Sequence, residues 1–343
     1  MPIDRPLNKN IKIIGTNRFS RLTTVLGPLV FLLLSWFICR QVVRQPNWRS
    51  SLDQVLHGLT GPRQWRLWLI LLLMPLNWGI EARKWQLALR PVGGISFINA
   101  FRAIFTGATM ASFTPNRMGE YLGRILYVKE GRRKAAISLT IACSIAQLLV
   151  TLAIGLAGVL YLRSSIHRQL VPGQDQLAFG LNFLLVLVAI LLLGLTFIYF
   201  RLSSVAAILT KIPGIRKYAD FVKVLENFDA TILLRILFLS FGRYLVFIIQ
   251  YSLVFPVFGV ALGVGQVWGG MSVVFLVMAL IPTFTFLTEL GLRWEASIQV
   301  LELFSSNTVG IFAASFAIWL INLIIPALIG SLLIISIKLF KSR

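Results

Sequence analysis

The chain has 343 residues, of which 57% are hydrophobic and 13% are charged. This composition excludes a soluble globular domain and indicates an integral membrane protein. The formal net charge of +21 arises from basic residues in the loops between apolar segments, which is typical of loops facing anionic lipid and not of a nucleic-acid-binding protein. The two cysteines lie in separate apolar segments and predict neither a disulfide nor a metal site.

The first part of the chain predicts two membrane crossings. Span one covers residues 22–39 and follows a basic N-terminal tail. Residues 40–66 have apolar residues at helical spacing and predict an amphipathic helix at the membrane interface. Span two covers residues 67–82, with Asn77, Glu81 and Lys84 along one side. Such polar side chains are expected to face the interior of the helix bundle.

A short apolar segment, residues 97–113, has strongly basic flanks on both sides. A full crossing would leave one basic flank outside, whereas a re-entrant hairpin keeps both flanks in the cytoplasm. We therefore predict a hairpin whose tip lies at Thr114 and Pro115. These two residues are the expected N-cap and first residue of the helix that follows.

The segment after this tip carries three charged residues among apolar neighbours. Arg117, Glu120 and Arg124 are spaced i, i+3 and i+7, so they share one helix face. Gly119 and Gly123 leave the opposite face bare for close contact with another backbone. Two other interpretations stay open: a basic helix on the cytoplasmic surface, or a Glu120–Arg124 ion pair that merely holds the hairpin shut.

Three further spans are predicted at residues 135–162, 177–200 and 232–254. The first of them carries a polar stripe that includes Ser144 and Gln147, and the last buries Arg243. Residues 201–230 are basic and predict a second interfacial helix, on the cytoplasmic side.

A second interrupted segment comes near the C-terminus. Residues 267–281 are too few for a comfortable crossing and end at Pro282. A second charged group follows, made up of Glu289, Arg293 and Glu295. Span six covers residues 309–337, contains Asn322, and ends in a basic tail.

These elements predict an all-α polytopic integral membrane protein with about six full transmembrane helices and two re-entrant or broken hairpins, about eight hydrophobic segments in all. Residues 1–343 are expected to form one transmembrane domain with both basic termini in the cytoplasm. The order span, span, hairpin, span occurs twice. Residues 22–162 and 177–337 would therefore form inverted halves, an arrangement found in transporters.

Both charged groups match short family patterns. Pro115, Gly119, Glu120 and Arg124 match Pro-x-x-x-Gly-Glu-x-x-x-Arg, and Gly291, Arg293 and Glu295 match Gly-x-Arg-x-Glu. In these motifs the chain resembles the lysylphosphatidylglycerol synthase transmembrane family, the flippase-like half of bacterial lipid aminoacylating enzymes. The resemblance implies a protein of the bacterial inner membrane. Since the sequence stops after its last span, we expect a stand-alone member without the aminoacyl-transferase domain.

The charged groups predict a site for a lipid headgroup. Arginine offers a phosphate a bidentate fork that stays charged when it leaves water, and the glutamates can neutralise these arginines or receive a cationic headgroup. The expected headgroup-binding residues are Arg117, Glu120, Arg124, Arg243, Arg293 and Glu295. The expected cavity lining is Gln147, Ser144, Asn77, Glu81, Glu289 and Asn322.

The leading hypothesis is a flippase for an aminoacylated phospholipid or a polyprenyl-phosphate-linked sugar, with membrane lipids as partners and no enzymatic activity, cofactor or metal. One rival is an integral membrane glycosyltransferase, which commonly needs paired acidic residues for a divalent metal, whereas the aspartates here are isolated from one another. Another is a non-catalytic subunit of an envelope glycolipid assembly complex. The sequence leaves open whether the protein forms a homo-oligomer.

Overall fold

A computed structural model of the protein describes residues 53, 61–112, 114, 117–167, 175–202, 204, 229–282 and 286–341. These residues are helical apart from short turns, and none of them lies in a β-strand, which confirms the all-α prediction. The α-helices are α1 Gln64–Ala88, α2 Phe97–Ala111, α3 Gly119–Ile125, α4 Arg133–His167, α5 Asp175–Phe200, α6 Ala230–Val254, α7 Val264–Leu280, α8 Phe286–Leu301, α9 Thr308–Trp319 and α10 Ile325–Lys341. Span one and most of both predicted interfacial helices lie outside the described residues.

Four helical stretches of the described chain are long and apolar enough to cross a membrane: Glu130–Ser165, Phe179–Phe200, Ala230–Phe258 and Thr308–Ile334. They coincide with predicted spans three to six. Helix α1 covers predicted span two and has 25 residues, but it contains both Glu81 and Lys84. Because charged side chains at membrane depth are costly, α1 needs ion-pair partners for these two residues.

Helices α9 and α10 are joined without a break through a π-helical turn, Leu320–Ile324. Pro326 explains this turn, because proline has no backbone N–H to donate to the carbonyl of Asn322 four residues earlier. The wider turn keeps the helix continuous and places Asn322 in the interior, where it is buried.

Helices α2 and α3 form a tight antiparallel hairpin held by glycines. A Cβ atom on Gly123 would lie 2.6 Å from the Cα of Gly107, and one on Gly119 would collide with the carbonyl of Met110. This confirms the close backbone approach expected from Gly119 and Gly123. Small residues of this kind let helices pack backbone to backbone in membranes.

The predicted start of this second helix is wrong. Helix α3 begins at Gly119, not at residue 115, and the hydroxyl of Thr114 accepts a hydrogen bond from the backbone N–H of Gly119 at 2.6 Å. The cause is Arg117, whose φ of 58° lies in the left-handed region and interrupts any helix running from residue 115. Arg117 is the sole non-glycine residue of the described chain with a positive φ.

Helices α7 and α8 form a second antiparallel hairpin, in which a Cβ on Gly270 of α7 would lie 2.6 Å from the side chain of Leu301 at the end of α8. Each hairpin packs against a long helix that is distant in sequence. Gly330 of α10 touches the carbonyl of Phe105 in α2, and Gly158 of α4 lies against Ser272 of α7. Helices α1 and α6 pack together between the two hairpins.

Candidate functional site

The centre of the site is the carboxylate of Glu81 on α1, which is 3% exposed. Three cations surround it: Lys84 Nζ at 2.7 Å, Arg124 Nη2 at 2.9 Å and Arg243 Nη1 at 3.1 Å. Lys84 comes from the next turn of α1, Arg124 from α3 and Arg243 from α6. Glu81 therefore ties the first hairpin to the two central helices, and its charge compensates three cations, of which Lys84 and Arg124 are buried.

Arg124 is 2% exposed and pairs with two carboxylates. Its Nη2 donates to Glu81 and also to Glu120, one turn earlier on α3. The guanidinium lies over the ring of Trp85, with its Cζ 5.9 Å from the ring centroid. Within the described part of the chain, its Nε and Nη1 are buried and have no hydrogen-bond partner. A guanidinium with unused donors in the interior can still accept an anion.

Arg243 links α6 to α1. Its Nε donates to the Oδ1 of Asn77 at 3.1 Å, and its Cζ lies 5.3 Å from the ring centroid of Trp78 and 5.6 Å from that of Phe247. Asn77 continues the hydrogen bonding, because its Nδ2 lies 3.4 Å from the Oδ1 of Asn322. Asn77, Arg243 and Asn322, which lie in predicted spans two, five and six, thus form one connected network.

A second ion pair has the same spacing as the first. On α8, Arg293 Nη2 donates to Glu289 Oε1 four residues earlier, at 2.9 Å, just as Arg124 donates to Glu120 on α3. Arg293 Nη1 also lies 3.4 Å from the hydroxyl of Tyr251 on α6. Each hairpin therefore carries a Glu-x-x-x-Arg pair on its second helix, facing the central helices.

Arg117 connects the two hairpins at their tips. Its guanidinium lies 3.7 Å from a carboxylate oxygen of Glu120 and 3.6 Å from one of Glu289. The left-handed backbone of Arg117 costs about 1–2 kcal/mol and persists where the surrounding structure holds it. Its side chain remains about one-third exposed. Among the cations of the site it is the one least enclosed by protein.

We call the eight charged residues joined by these contacts the central cluster; they are Glu81, Lys84, Arg117, Glu120, Arg124, Arg243, Glu289 and Arg293. Five cations face three carboxylates, which leaves a formal excess of two positive charges. Because a low-dielectric interior makes unbalanced charge expensive, the excess favours a bound anion.

A cavity opens beside the central cluster. It has a volume of about 260 Å³, and its polar lining consists of Arg117, Gln147, Thr151, Arg243, Tyr244, Glu289 and Arg293. A second space of about 40 Å³ lies next to it and reaches Asn322. Drug-sized ligands occupy about 300–1,000 Å³, so the larger cavity is suited to a small polar group and not to a whole lipid.

The structure brings ten of the twelve predicted site residues to this region: Arg117, Glu120, Arg124, Arg243, Arg293, Asn77, Glu81, Gln147, Glu289 and Asn322. Gln147 reaches it from α4, and its Nε2 lies 3.4 Å from the carbonyl of Ser240.

Two predicted positions do not belong to the site. Glu295 is exposed and accepts a hydrogen bond from Gln299 at 2.9 Å, because two residues along a helix turn a side chain about 200° away from Arg293. Ser144 is exposed on α4, and its hydroxyl donates to the carbonyl of Thr140 in the same helix. The expected headgroup role of Glu295 therefore finds no support in its position.

The sequence interpretation left Lys84 out of the site, and it assigned Glu289 only to the cavity wall. Both could have been found from spacing. Lys84 lies three residues after Glu81 in an apolar helix, and Glu289 stands four residues before Arg293, as Glu120 does before Arg124. The recurrence of this i, i+4 pair is the signal that identifies Glu289 as the partner of Arg293.

The comparison with known families is decisive for the class of protein. Residues 24–330 match the profile of the family described as Lysylphosphatidylglycerol synthase TM region. The chain belongs to this family. The match covers both hairpins and all the residues of the central cluster, and it confirms the resemblance carried by the two motifs. A comparison with curated proteins finds no match. Membership places the protein in a membrane family connected with lipid.

Proposed function

We propose that this family member moves a lipid with a polar headgroup across the bacterial inner membrane, with the headgroup passing the central cluster and the apolar chains remaining in the bilayer. The observation that carries the proposal is the excess of two cations in the central cluster beside a small polar cavity, which Arg293 lines with an Nε–H that has no hydrogen-bond partner in the described part of the chain. A lipid phosphate is an anion that needs such partners when it leaves water.

The ion pairs of the cluster offer a route for exchange. When no headgroup is bound, Glu81, Glu120 and Glu289 compensate the arginines. A phosphate that enters the cavity competes with these carboxylates for the same guanidinium groups and returns them to their partners when it leaves. Exchanging a carboxylate for a phosphate on an arginine that is already buried costs less free energy than burying a new unpaired charge.

The two hairpins supply a means of opening the site from either side. In this proposal both are re-entrant and meet near the midplane from opposite faces, residues 22–162 and 177–337 form inverted halves, and both termini are cytoplasmic. The support lies in matching contacts: α2 packs against α10 and α7 against α4, and each hairpin carries one Glu-x-x-x-Arg pair. Arg117, which bridges the tips, would release when one hairpin moves.

The test uses the full chain in liposomes containing a fluorescent lipid, with chemical quenching of the outer leaflet to follow transbilayer movement. We expect movement without nucleotide. Glu120→Gln and Arg124→Gln should each slow it about ten- to hundredfold, because each removes charged hydrogen bonds worth about 1.5–3 kcal/mol. Glu302→Gln, which lies on an exposed turn, is the matched control and should move lipid at the parent rate.

The double variant Glu120→Gln with Arg124→Gln separates transport from structural support. We expect it to fold at least as well as either single variant and to move lipid no faster than either of them. Recovery of lipid movement in the double variant would mean that the pair only clamps the hairpin, and the proposed site would be wrong. Product formation from a nucleotide sugar, without movement of intact lipid, would instead favour a membrane glycosyltransferase.

A further inference from the structure

A second cavity, larger than the one beside the central cluster, lies away from that cluster. It is a groove of about 960 Å³ between α4, α5 and α6, with its walls formed by aliphatic and aromatic side chains such as Leu149, Ile154, Leu192 and Phe238. No residue lines both this groove and the central cavity. The groove contains no member of the central cluster.

Three arginines border this groove: Arg83, Arg90 and Arg235. They lie at one end of it because α1 and α6 are antiparallel. Gln250 donates to the carbonyl of Ile70, and further along Arg243 reaches Glu81, so the start of α6 lies beside the end of α1. Arg83 and Arg90 come from the end of α1 and the turn after it, and Arg235 comes from the second turn of α6.

These arginines lack carboxylate partners. Within the described residues none of the three forms an ion pair, and Arg83 donates only to the amide oxygen of Gln86 at 2.5 Å. Basic residues near a membrane surface are usual on the cytoplasmic side and need no ligand. The difference here is that all three arginines line one end of a single apolar groove.

The dimensions of the groove match one leaflet. Its α6 wall runs from Thr231 to Phe241, which is about 15 Å along a helix at 1.5 Å per residue. That is about half of the roughly 30 Å thickness of the hydrocarbon core. An apolar chain that enters at the arginine end can therefore lie along the groove without passing the midplane.

We propose that this groove is a second lipid site, which holds one anionic phospholipid of the leaflet at the end of α1, with its phosphate on Arg83, Arg90 and Arg235 and an acyl chain along α6. This site is independent of transport through the central cluster. It binds a lipid in a groove that shares no lining residue with the central cavity. The chemistry that selects the lipid is a negative headgroup joined to a long apolar chain.

The experiment measures lipid retained by the detergent-purified full chain in native mass spectrometry. Three probes are added separately: phosphatidylglycerol, phosphatidylcholine with the same chains, and glycerol phosphate, which has the anion without the chain. We expect retention of phosphatidylglycerol, weak retention of phosphatidylcholine and none of glycerol phosphate. Retention of glycerol phosphate would show an anion site that needs no chain, and the groove assignment would then be wrong.

Two variants test the two parts of the site, the arginines that bind the phosphate and the groove that holds the acyl chain. Replacing Arg83, Arg90 and Arg235 together by Gln should lower the apparent affinity for phosphatidylglycerol at least about tenfold, since each basic residue near the surface contributes to anionic-lipid binding. Ala153→Trp should do the same with all three arginines present, because Ala153 lines the groove and the indole fills it.

Matched controls accompany both variants. The control for the charge change replaces three exposed basic residues outside the groove by Gln, namely Arg102, Lys129 and Arg132. The control for Ala153→Trp is Ala157→Trp, which adds the same side chain to α4 one turn beyond the groove. Both controls should bind within about twofold of the parent. Equal loss in the charge control would mean non-specific surface attraction, and unchanged binding in Ala153→Trp would exclude a chain in the groove. Ala153→Trp changes no residue of the central cluster and should move lipid in the liposome assay at the parent rate, so the failure of this proposal and the failure of the transport proposal can be told apart.

Discussion

The sharpest structural prediction concerns Glu81, whose carboxylate is the shared partner of three cations, two of them buried. Glu81→Gln keeps the size and shape of the side chain but deletes its charge. Arg124 keeps Glu120 as a second carboxylate, and Arg243 keeps Asn77 as an acceptor. Lys84, at 1% exposure, has no second ion-pair partner in the described part of the chain. Of the three cations, Lys84 is therefore the one that the substitution leaves without an ion-pair partner in the described part of the chain.

The expected cost follows from this geometry. Removing one partner of a buried ion pair typically costs about 3–5 kcal/mol, because the remaining charge is left uncompensated. A single unpaired charge at membrane depth costs about 2.5–3.5 kcal/mol on insertion scales, which agrees with that range. We therefore expect Glu81→Gln to lower the free energy of unfolding by about 3–5 kcal/mol.

The assay is reversible unfolding of the purified protein from mixed micelles by a denaturing detergent. Glu302→Gln is the control, since Glu302 is exposed and a surface change of this kind stays within about 0.5 kcal/mol. Adding Lys84→Gln to Glu81→Gln should recover about 1–3 kcal/mol, because the second change removes the charge that the first one stranded.

Two outcomes would refute this reasoning. If Glu81→Gln unfolds with the free energy of the parent, Glu81 does not compensate the surrounding cations. If Lys84→Gln instead adds its full cost to that of Glu81→Gln, the two residues are not energetically coupled, and the ion pair at 2.7 Å contributes nothing measurable.

Two further predictions concern the hairpin and the topology. Gly123→Ala should cost about 1–3 kcal/mol of unfolding free energy because its Cβ would press on the backbone of Gly107, whereas Gly131→Ala, with open space around it, should change little; equal effects would contradict the tight hairpin. In a cysteine-free background, a cysteine at position 90 should react with an impermeant reagent only from the cytoplasm and one at position 263 only from outside. Labelling of position 90 from outside alone would rule out the re-entrant first hairpin.

The local features of this protein could be derived from sequence because they depend on periodicity within one segment. Apolar length predicted the long helices, and the i, i+4 spacing of Glu120 and Arg124 predicted their pairing within one turn. The small side chains of Gly119 and Gly123 likewise predicted a close helix contact. The family motifs lie within these same short segments.

Only the tertiary structure decided which charges meet. Glu81 and Arg243 are 162 positions apart in the chain, and nothing in either segment specifies that α1 and α6 lie side by side with these residues facing each other. The exclusion of Glu295 depends on how α8 is rotated against its neighbours, and the left-handed backbone of Arg117 depends on the hairpin closing around it. Helix formation is set by local spacing, whereas the pairing of buried charges is set by how packed helices are rotated and aligned, and burial then makes each pairing obligatory.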